Sequence, residues 1–429
     1  MAELKKSLGL IPLLFYGIGM ILGAGIYSVI GAATAKSQGA VWISFLIAAF
    51  IALLTGLSYA ELATKMPEAG AEYSYLRKAF PKRRYLGFVV GIVVCVLGAA
   101  TAATVSLAFA NYLQGFIKLP LAPVALAVMG VAALINIIGL KASSKLNILF
   151  TLIEVSGLAI VTVLGLQSER FANDITFELN PGVLPAAALL FFSYLGFESI
   201  VALSEESKNP SKHIPIAIIG SILITTFVYL MVALATIALV NPDQLVNDEA
   251  PLQKIVGAGA PGLVPTIQAI ALFATSNTAL IAILSASRVA FAMARKKDLP
   301  EAITGLASKN GSPWIATLLI FGIGALMIPF GKVEVVAEIT SFLSLAVFAA
   351  VHISLIVLRF IPSADHLNFT VPLKIGLLPI LPCVALISIA FMMSQFNVTV
   401  YSVGAGVIGG ALLLYWLLHR FTNLADNYT

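Results

Sequence analysis

The feature that most constrains this chain is a recurrence of continuous apolar stretches, many near twenty residues long, from Ile11 to the C-terminus. A helix needs about 20 such residues to cross the hydrocarbon of a bilayer. Backbone inside lipid must satisfy its own hydrogen bonds, which leaves helices or closed barrels as spanning structures. Barrel strands would alternate in polarity over about 10 residues, whereas these runs are apolar throughout, so the chain reads as an all-α polytopic membrane protein. Composition agrees: 60% of the 429 residues are hydrophobic and only 10% are charged. A soluble domain, with about 25% charged residues, covers its core in a way this chain cannot.

Glycine, proline, asparagine and charge clusters divide the chain into twelve expected spans, near 11–34, 40–63, 86–113, 121–139, 146–166, 183–204, 215–240, 263–294, 313–330, 333–358, 374–393 and 398–420. Cations crowd alternate loops, which hold Lys65, Arg77, Lys78, Lys82, Arg83, Arg84, Lys141, Lys145, Lys208, Lys212, Arg295, Lys296, Lys297, Lys309, Arg359 and Lys374. Basic loops stay on the cytoplasmic side. An even number of spans then places both termini in the cytoplasm, in a cell membrane. The net charge of +5 is therefore an orientation signal and does not indicate a nucleic-acid partner. The N-terminus runs into a full-length span with no cleavage site between, so no removable signal is expected.

Two spans carry residues that interrupt a helix. The first contains Gly17, Gly19, Gly23 and Gly25, and the sixth contains Gly196 followed by Glu198. Irregular backbone at membrane depth is tolerated where it lines a cavity or is buried in protein. Glycines can also serve close helix packing, and for Gly17 and Gly19 alone that reading is preferred. If spans 1–5 and 6–10 form two repeats, each broken helix opens its repeat, which is the pattern of an inverted-repeat transporter with a midplane site. Amides following Gly23 form a half-helix N-terminus suited to a carboxylate. Carbonyls around Gly19 to Ile21 and Phe191 to Tyr194 suit an ammonium group. Together they fit the backbone of an α-amino acid.

At these residues the chain resembles the amino acid–polyamine–organocation transporters over nearly its whole length. The resemblance rests on Gly19-Met20-Ile21-Leu22-Gly23-Ala24-Gly25-Ile26-Tyr27, on Met66-Pro67-Glu68-Ala69-Gly70-Ala71-Glu72-Tyr73, on Ser204-Glu205-Glu206-Ser207-Lys208-Asn209-Pro210, and on Ser287-Arg288-Val289-Ala290-Phe291 through Arg295. It implies a LeuT-like five-plus-five inverted repeat with discontinuous helices 1 and 6 and two trailing helices. The parts would be 1–170 and 171–362 for the repeats and 363–429 for the trailing helices and tail. It implies amino acid transport with proton coupling or exchange. It places the carboxylate-binding amides at Ala24, Gly25 and Ile26, the α-amine carbonyls at Ile21 and Phe191, and an aromatic gate at Phe192. Leu195 lines the pocket, and Ala100, Ala103 and Thr104 of span 3 face the substrate side chain.

Two intramembrane acids need a role, because an ionised carboxylate is costly in lipid. Glu198 can take up a proton, cap the freed amides of the broken helix, or meet a cationic substrate. Glu154 stands where the resemblance places a lysine in proton-coupled relatives, beside Gly19 and the span 8 hydroxyls Thr275 and Ser276. The charge is inverted, so the lysine mechanism does not transfer. A neutral Glu154 could donate a hydrogen bond to the Gly19 carbonyl. An ionised one could join Gly19, Thr275 and Ser276 in a Na⁺ site, and a purely structural acid is the third reading. The proton is preferred, because burial favours the neutral carboxyl.

Glu61 and Glu72 are expected to pair with nearby basic groups, Glu205 and Glu206 to form a cytoplasmic gate or cap, and His352 to pack through hydrogen bonds. His213, His352, His366 and His419 are scattered, and no HExxH, GxSxG or Walker motif is present, which argues against an embedded enzyme or an ATP-driven pump. No cofactor and no obligate partner subunit are expected; the partners are a small amino acid, H⁺ or Na⁺, and the bilayer. The apolar pocket favours a neutral amino acid by proton symport. An exchanger of amino acids or polyamines, or a Na⁺ symporter of cationic substrates, is the alternative.

Overall fold

The computed structural model describes residues 6–68, 70–171, 179–246, 248, 250–307, 311–330, 333–361 and 369–426. Helices make up most of the described residues. The first expected span is two helices, α1 (Leu10–Leu22) and α2 (Ala24–Ser37), separated at Gly23. Then come α3 (Val41–Lys65), a short α4 (Ala71–Ala79), α5 (Arg84–Leu113), α6 (Leu121–Ile138) and α7 (Leu140–Leu166). The sixth expected span is α8 (Val183–Tyr194) followed, across Leu195 and Gly196, by a 3₁₀ helix at Phe197–Glu206. The remainder is α9 (Pro210–Leu239), α10 (Pro251–Gly259), α11 (Val264–Arg295), α12 (Trp314–Met327), α13 (Val333–Arg359), α14 (Ile380–Met393) and α15 (Val398–Asp426).

Among the described residues, nine helical stretches are long and apolar enough to cross a membrane, and α12 and α14 are shorter apolar helices. One departure from the expected spans is the start of the eleventh. Residues 374–379 form an antiparallel hairpin of β1 (Lys374–Ile375) and β2 (Leu378–Pro379), turned at Gly376 with φ +60°, before α14 begins. Glycine takes that left-handed backbone without a Cβ penalty.

Burial separates the helices by role. The windows of α8 with its 3₁₀ continuation and of α11 are 94% and 78% buried, whereas the α15 window is 17% buried. A helix that is apolar all round yet buried belongs to the centre of the protein. Here α11 packs on α5, α7 and α1, and α8 packs on α2, α3 and α13. The exposed α15 carries Leu413 and Trp416 outward, the surface a membrane protein presents to lipid.

Candidate functional site

The site begins at the two interruptions, which lie against one another. A Cβ built on Gly25 would stand 2.6 Å from the Ser193 Cα, and one on Gly196 would stand 2.2 Å from Met20 Cγ. Each break therefore needs a glycine where it meets the other. Gly196 needs one twice, because its φ of +127° also disfavours a side chain. Between them stands Tyr229 of α9, fully buried, whose hydroxyl oxygen is within hydrogen-bonding reach of the carbonyls of Ile21 and of Ser193, the latter at 2.8 Å. The sequence reading missed Tyr229. A tyrosine in an apolar span looks like core, and nothing local marks its hydroxyl as the link between the breaks.

Beyond the breaks the chain runs differently. The α2 helix starts afresh at Ala24, so its first amides have no carbonyl one turn earlier. The stretch Phe197–Glu206 is ten residues of 3₁₀ helix, far longer than the usual three or four, and such a stretch inside a helix often marks a hinge. Glu198, half-buried, turns back so that its Oε2 accepts the Gly196 N–H at 2.8 Å. This carboxylate thus caps an amide that the break releases.

A cavity of about 810 Å³, counting the part open to solvent, adjoins both interruptions. Of the expected substrate residues, Ile21, Gly25, Phe192, Leu195 and Glu198 line it. Gly23, Ile26, Phe191 and Tyr194 lie behind this wall. The Phe191 ring meets Phe348, and Tyr194 packs on Phe45 and Tyr229. Ala24 is the first residue of α2. In α5 the cavity wall is Val94, Leu97, Gly98 and Thr101. Ala100, Ala103 and Thr104 point elsewhere, and the Thr104 hydroxyl bonds its own helix at the Ala100 carbonyl, 2.8 Å away. The residues of this span that line the cavity are thus neighbours of the expected ones, offset by a fraction of a turn.

Glu72 also lines the cavity. It was expected to pair with a base, but its Oε1 accepts the Tyr59 hydroxyl at 2.8 Å. Burial pushes its pKa up to about 7, against the hydrogen bonds from its own amide and from Tyr59. Glu61 does meet bases: Arg359 through Nε at 3.0 Å and through Nη2, and Lys65 at 3.2 Å. Glu205 and Glu206 pair with Arg295 and Arg288, at 2.7 and 3.4 Å, and Asp298 pairs with Arg77 at 2.6 Å. These pairs lie at the basic end of the bundle. His352 bonds Ser58 at 2.9 Å and Thr55 at 3.2 Å, tying α13 to α3.

A second polar knot joins α1, α7 and α11. Glu154 is fully buried, and Asn277 Nδ2 donates to its Oε1 at 3.1 Å and to Thr151 Oγ1 at 3.4 Å. Thr151 in turn reaches Asn147 Oδ1 at 3.4 Å. Gly19 fits against this knot: a Cβ there would lie 2.1 Å from Thr151 Oγ1 and 2.8 Å from both Asn147 Oδ1 and Asn277 Nδ2. Thr275 and Ser276 do not supply the partner, because their hydroxyls donate to Ala271 and Leu272 of their own helix, each at 2.7 Å. Two acceptors, Glu154 Oε2 and Asn277 Oδ1, have no partner among the described residues. Such buried orphans are uncommon and call for a proton, an ion or a water.

A model of the family described as amino acid permease matches residues 8–423. The chain belongs to the amino acid permease family. This permease is 29% identical to cationic amino acid transporter 1 of Arabidopsis thaliana over 83% of its own length, and spans 63% of that relative. It is 26% identical to a branched-chain amino acid permease of Bacillus subtilis, covering 97% of this chain and 94% of the relative. A methylthioribose transporter of the same bacterium is 27% identical over 99% of this chain and 95% of its own. The permease is a multi-pass membrane transporter and not an enzyme, as the resemblance to the amino acid–polyamine–organocation transporters implied.

Proposed function

We propose that this permease carries a neutral α-amino acid across the cell membrane by alternating access, with its site at the two helix breaks. The observation that carries the reading is the packing of one interruption on the other, with Tyr229 between their carbonyls. The substrate carboxylate lies on the amides of Ala24, Gly25 and Ile26, where a helix N-terminus favours an anion. Its ammonium group meets the C-terminal ends of α1 and α8, at Ile21 and Phe191. Phe192 and Leu195 close over the side chain, with Leu97, Gly98 and Thr101 opposite. The chain crosses twelve times with both termini cytoplasmic. It is built as two inverted repeats, 1–170 and 171–362, followed by 363–429.

Transport is coupled to a proton at Glu154. A hydrogen on its carboxyl turns one of two unpaired acceptors into a donor, which balances the knot around Gly19. Sodium held by Glu154, Asn277 and the Gly19 carbonyl is the competing chemistry. A cationic substrate is the second reading, favoured by two carboxylates, Glu72 and Glu198, in a cavity whose described lining holds no lysine or arginine. The relatives' names cover cationic and branched-chain amino acids and methylthioribose, so the side-chain wall decides among them.

The test is thermal unfolding of the purified protein with leucine, lysine, putrescine and methylthioribose, at two pH values, in Na⁺ or K⁺. A ligand that binds only the folded state raises the melting temperature. Leucine stabilising in either salt, more strongly at the lower pH, is the expected result. Stabilisation by lysine alone moves the assignment to the second reading, and stabilisation by methylthioribose alone overturns amino acid transport.

A further inference from the structure

At the basic end of the bundle, a second cavity opens where α3 and α13 end, lined by Glu61, Lys65, Arg359, Thr370 and Lys374 among others. Among the described residues its charges do not cancel. Glu61 is already held by Lys65, by Arg359 and by the Val371 N–H at 2.8 Å, so the three described cations of the lining outnumber its one described acid. The Val371 N–H and its carbonyl, which accepts from Arg359 at 3.2 Å, pin the segment that carries Lys374 to both helices. Lys374, in the hairpin that follows, is exposed and lines the cavity.

What surrounds this charge is apolar and uncovered. Leu373 is 63% exposed, Ile375 72% and Leu377 58%, and Phe360 and Ile361 are exposed beside them. Leu373 sits at φ +61°, a conformation costly for a branched side chain, and it projects outward from that strained backbone. A hairpin whose apolar side chains face out beside a lysine has the make-up of the headgroup–acyl boundary.

We propose that this face binds the phosphate of an anionic phospholipid headgroup, with Lys374 and its neighbours on the phosphate and the hairpin's apolar side chains in the acyl layer. A membrane source is favoured over a free anion because the apolar rim has no role in holding a soluble phosphate. Each cation near a membrane surface adds about 1 kcal/mol of attraction to anionic lipid, or about fivefold.

The test uses native mass spectrometry of the full chain released from mixed micelles of phosphatidylglycerol and phosphatidylcholine. Wild-type protein is expected to retain phosphatidylglycerol in preference, Lys374→Ala to lower that preference about fivefold, and Lys374→Arg to keep it. Lys118→Ala, which alters a cation outside this cavity, leaves the preference intact. Equal retention of the two lipids by wild-type protein, or an unchanged preference in Lys374→Ala, overturns the proposal. So does displacement of the lipid by soluble glycerol phosphate, which marks a free-anion site.

Discussion

Replacing Tyr229 by phenylalanine removes one oxygen and leaves the ring, so it isolates the contribution of the hydroxyl between the breaks. The ring keeps its packing on Phe45 and Tyr194, with centroids 5.2 and 5.3 Å away, so no cavity term enters. What is lost is a donor facing two carbonyls, those of Ile21 and Ser193. Both belong to helix ends, where no amide four residues on replaces the donor. A buried acceptor left unsatisfied costs about 1–3 kcal/mol. One hydrogen is shared between two acceptors, so the whole effect lies near 2 kcal/mol instead of twice that. Since melting-temperature shifts shrink with chain length, this amounts to only a few degrees in a chain of this size. The sharper readout is ligand binding. In the proposed site the substrate ammonium replaces the missing donor, so Tyr229→Phe is expected to bind amino acid while losing stability mainly in the ligand-free state. Purified variant and wild type, melted with and without saturating substrate, give the comparison. An unchanged ligand-free melting temperature would refute the claim that this hydroxyl holds the two breaks together.

Three further outcomes follow from the same geometry. Glu154→Gln keeps the size of the side chain and supplies a permanent donor, so uptake into proteoliposomes is expected to lose its dependence on a proton gradient; retained dependence removes Glu154 from coupling. Gly19→Ala forces a methyl toward Thr151 and Asn277 and is expected to destabilise by about 1–3 kcal/mol, whereas Gly9→Ala, with open space around it, is neutral in the same melts. Glu72, with a folded pKa near 7 against an ordinary 4.5, binds its proton more tightly when folded. Its effect on stability is therefore absent below pH 4.5, grows through the interval to pH 7, and reaches at most about 3 kcal/mol of destabilisation above it. Glu72→Gln is thus expected to raise the melting temperature at pH 8 and to leave it unchanged at pH 4.5.

The broken helices were legible because lipid makes them so. A glycine cluster or a carboxylate inside an apolar run has few uses where no water can repair the backbone, and both Gly23 and Gly196 mark real interruptions. Rotation about a helix was not legible. One residue turns a helix by about 100°, so the sequence put the hydroxyls of Thr275 and Ser276 at Glu154, whereas the next residue, Asn277, makes the contact. The same uncertainty misplaced Ala100, Ala103 and Thr104, while Gly98 and Thr101 line the cavity. Short elements hid for another reason. The helix α4 is polar enough to read as loop, and its Glu72 sits in the cavity wall because tertiary packing folds it inward. Likewise the hairpin at 374–379 reads as the apolar start of a span.

In the proposed transport cycle, α1 is the element shared by substrate and proton. Its C-terminal end supplies the Ile21 carbonyl at the break, and two residues earlier Gly19 lies against Thr151, Asn147 and Asn277 beside Glu154. Across the break, the α2 residue Tyr27 donates to the Glu154 carbonyl at 3.2 Å. A ligand shifts a conformational equilibrium only through interactions that differ between the two states. A proton on Glu154 changes donors and acceptors against one face of α1, and a substrate changes them at its end. Tilting α1 against α7 and α11 alters both sets together, whereas a motion that carried α1, α7 and α11 as one body would leave the contacts around Glu154 unchanged. Coupling in the proposed cycle therefore runs through movement of α1 against α7 and α11, and a cross-link that fixes α1 to α7 is expected to abolish transport while leaving substrate binding in one state intact.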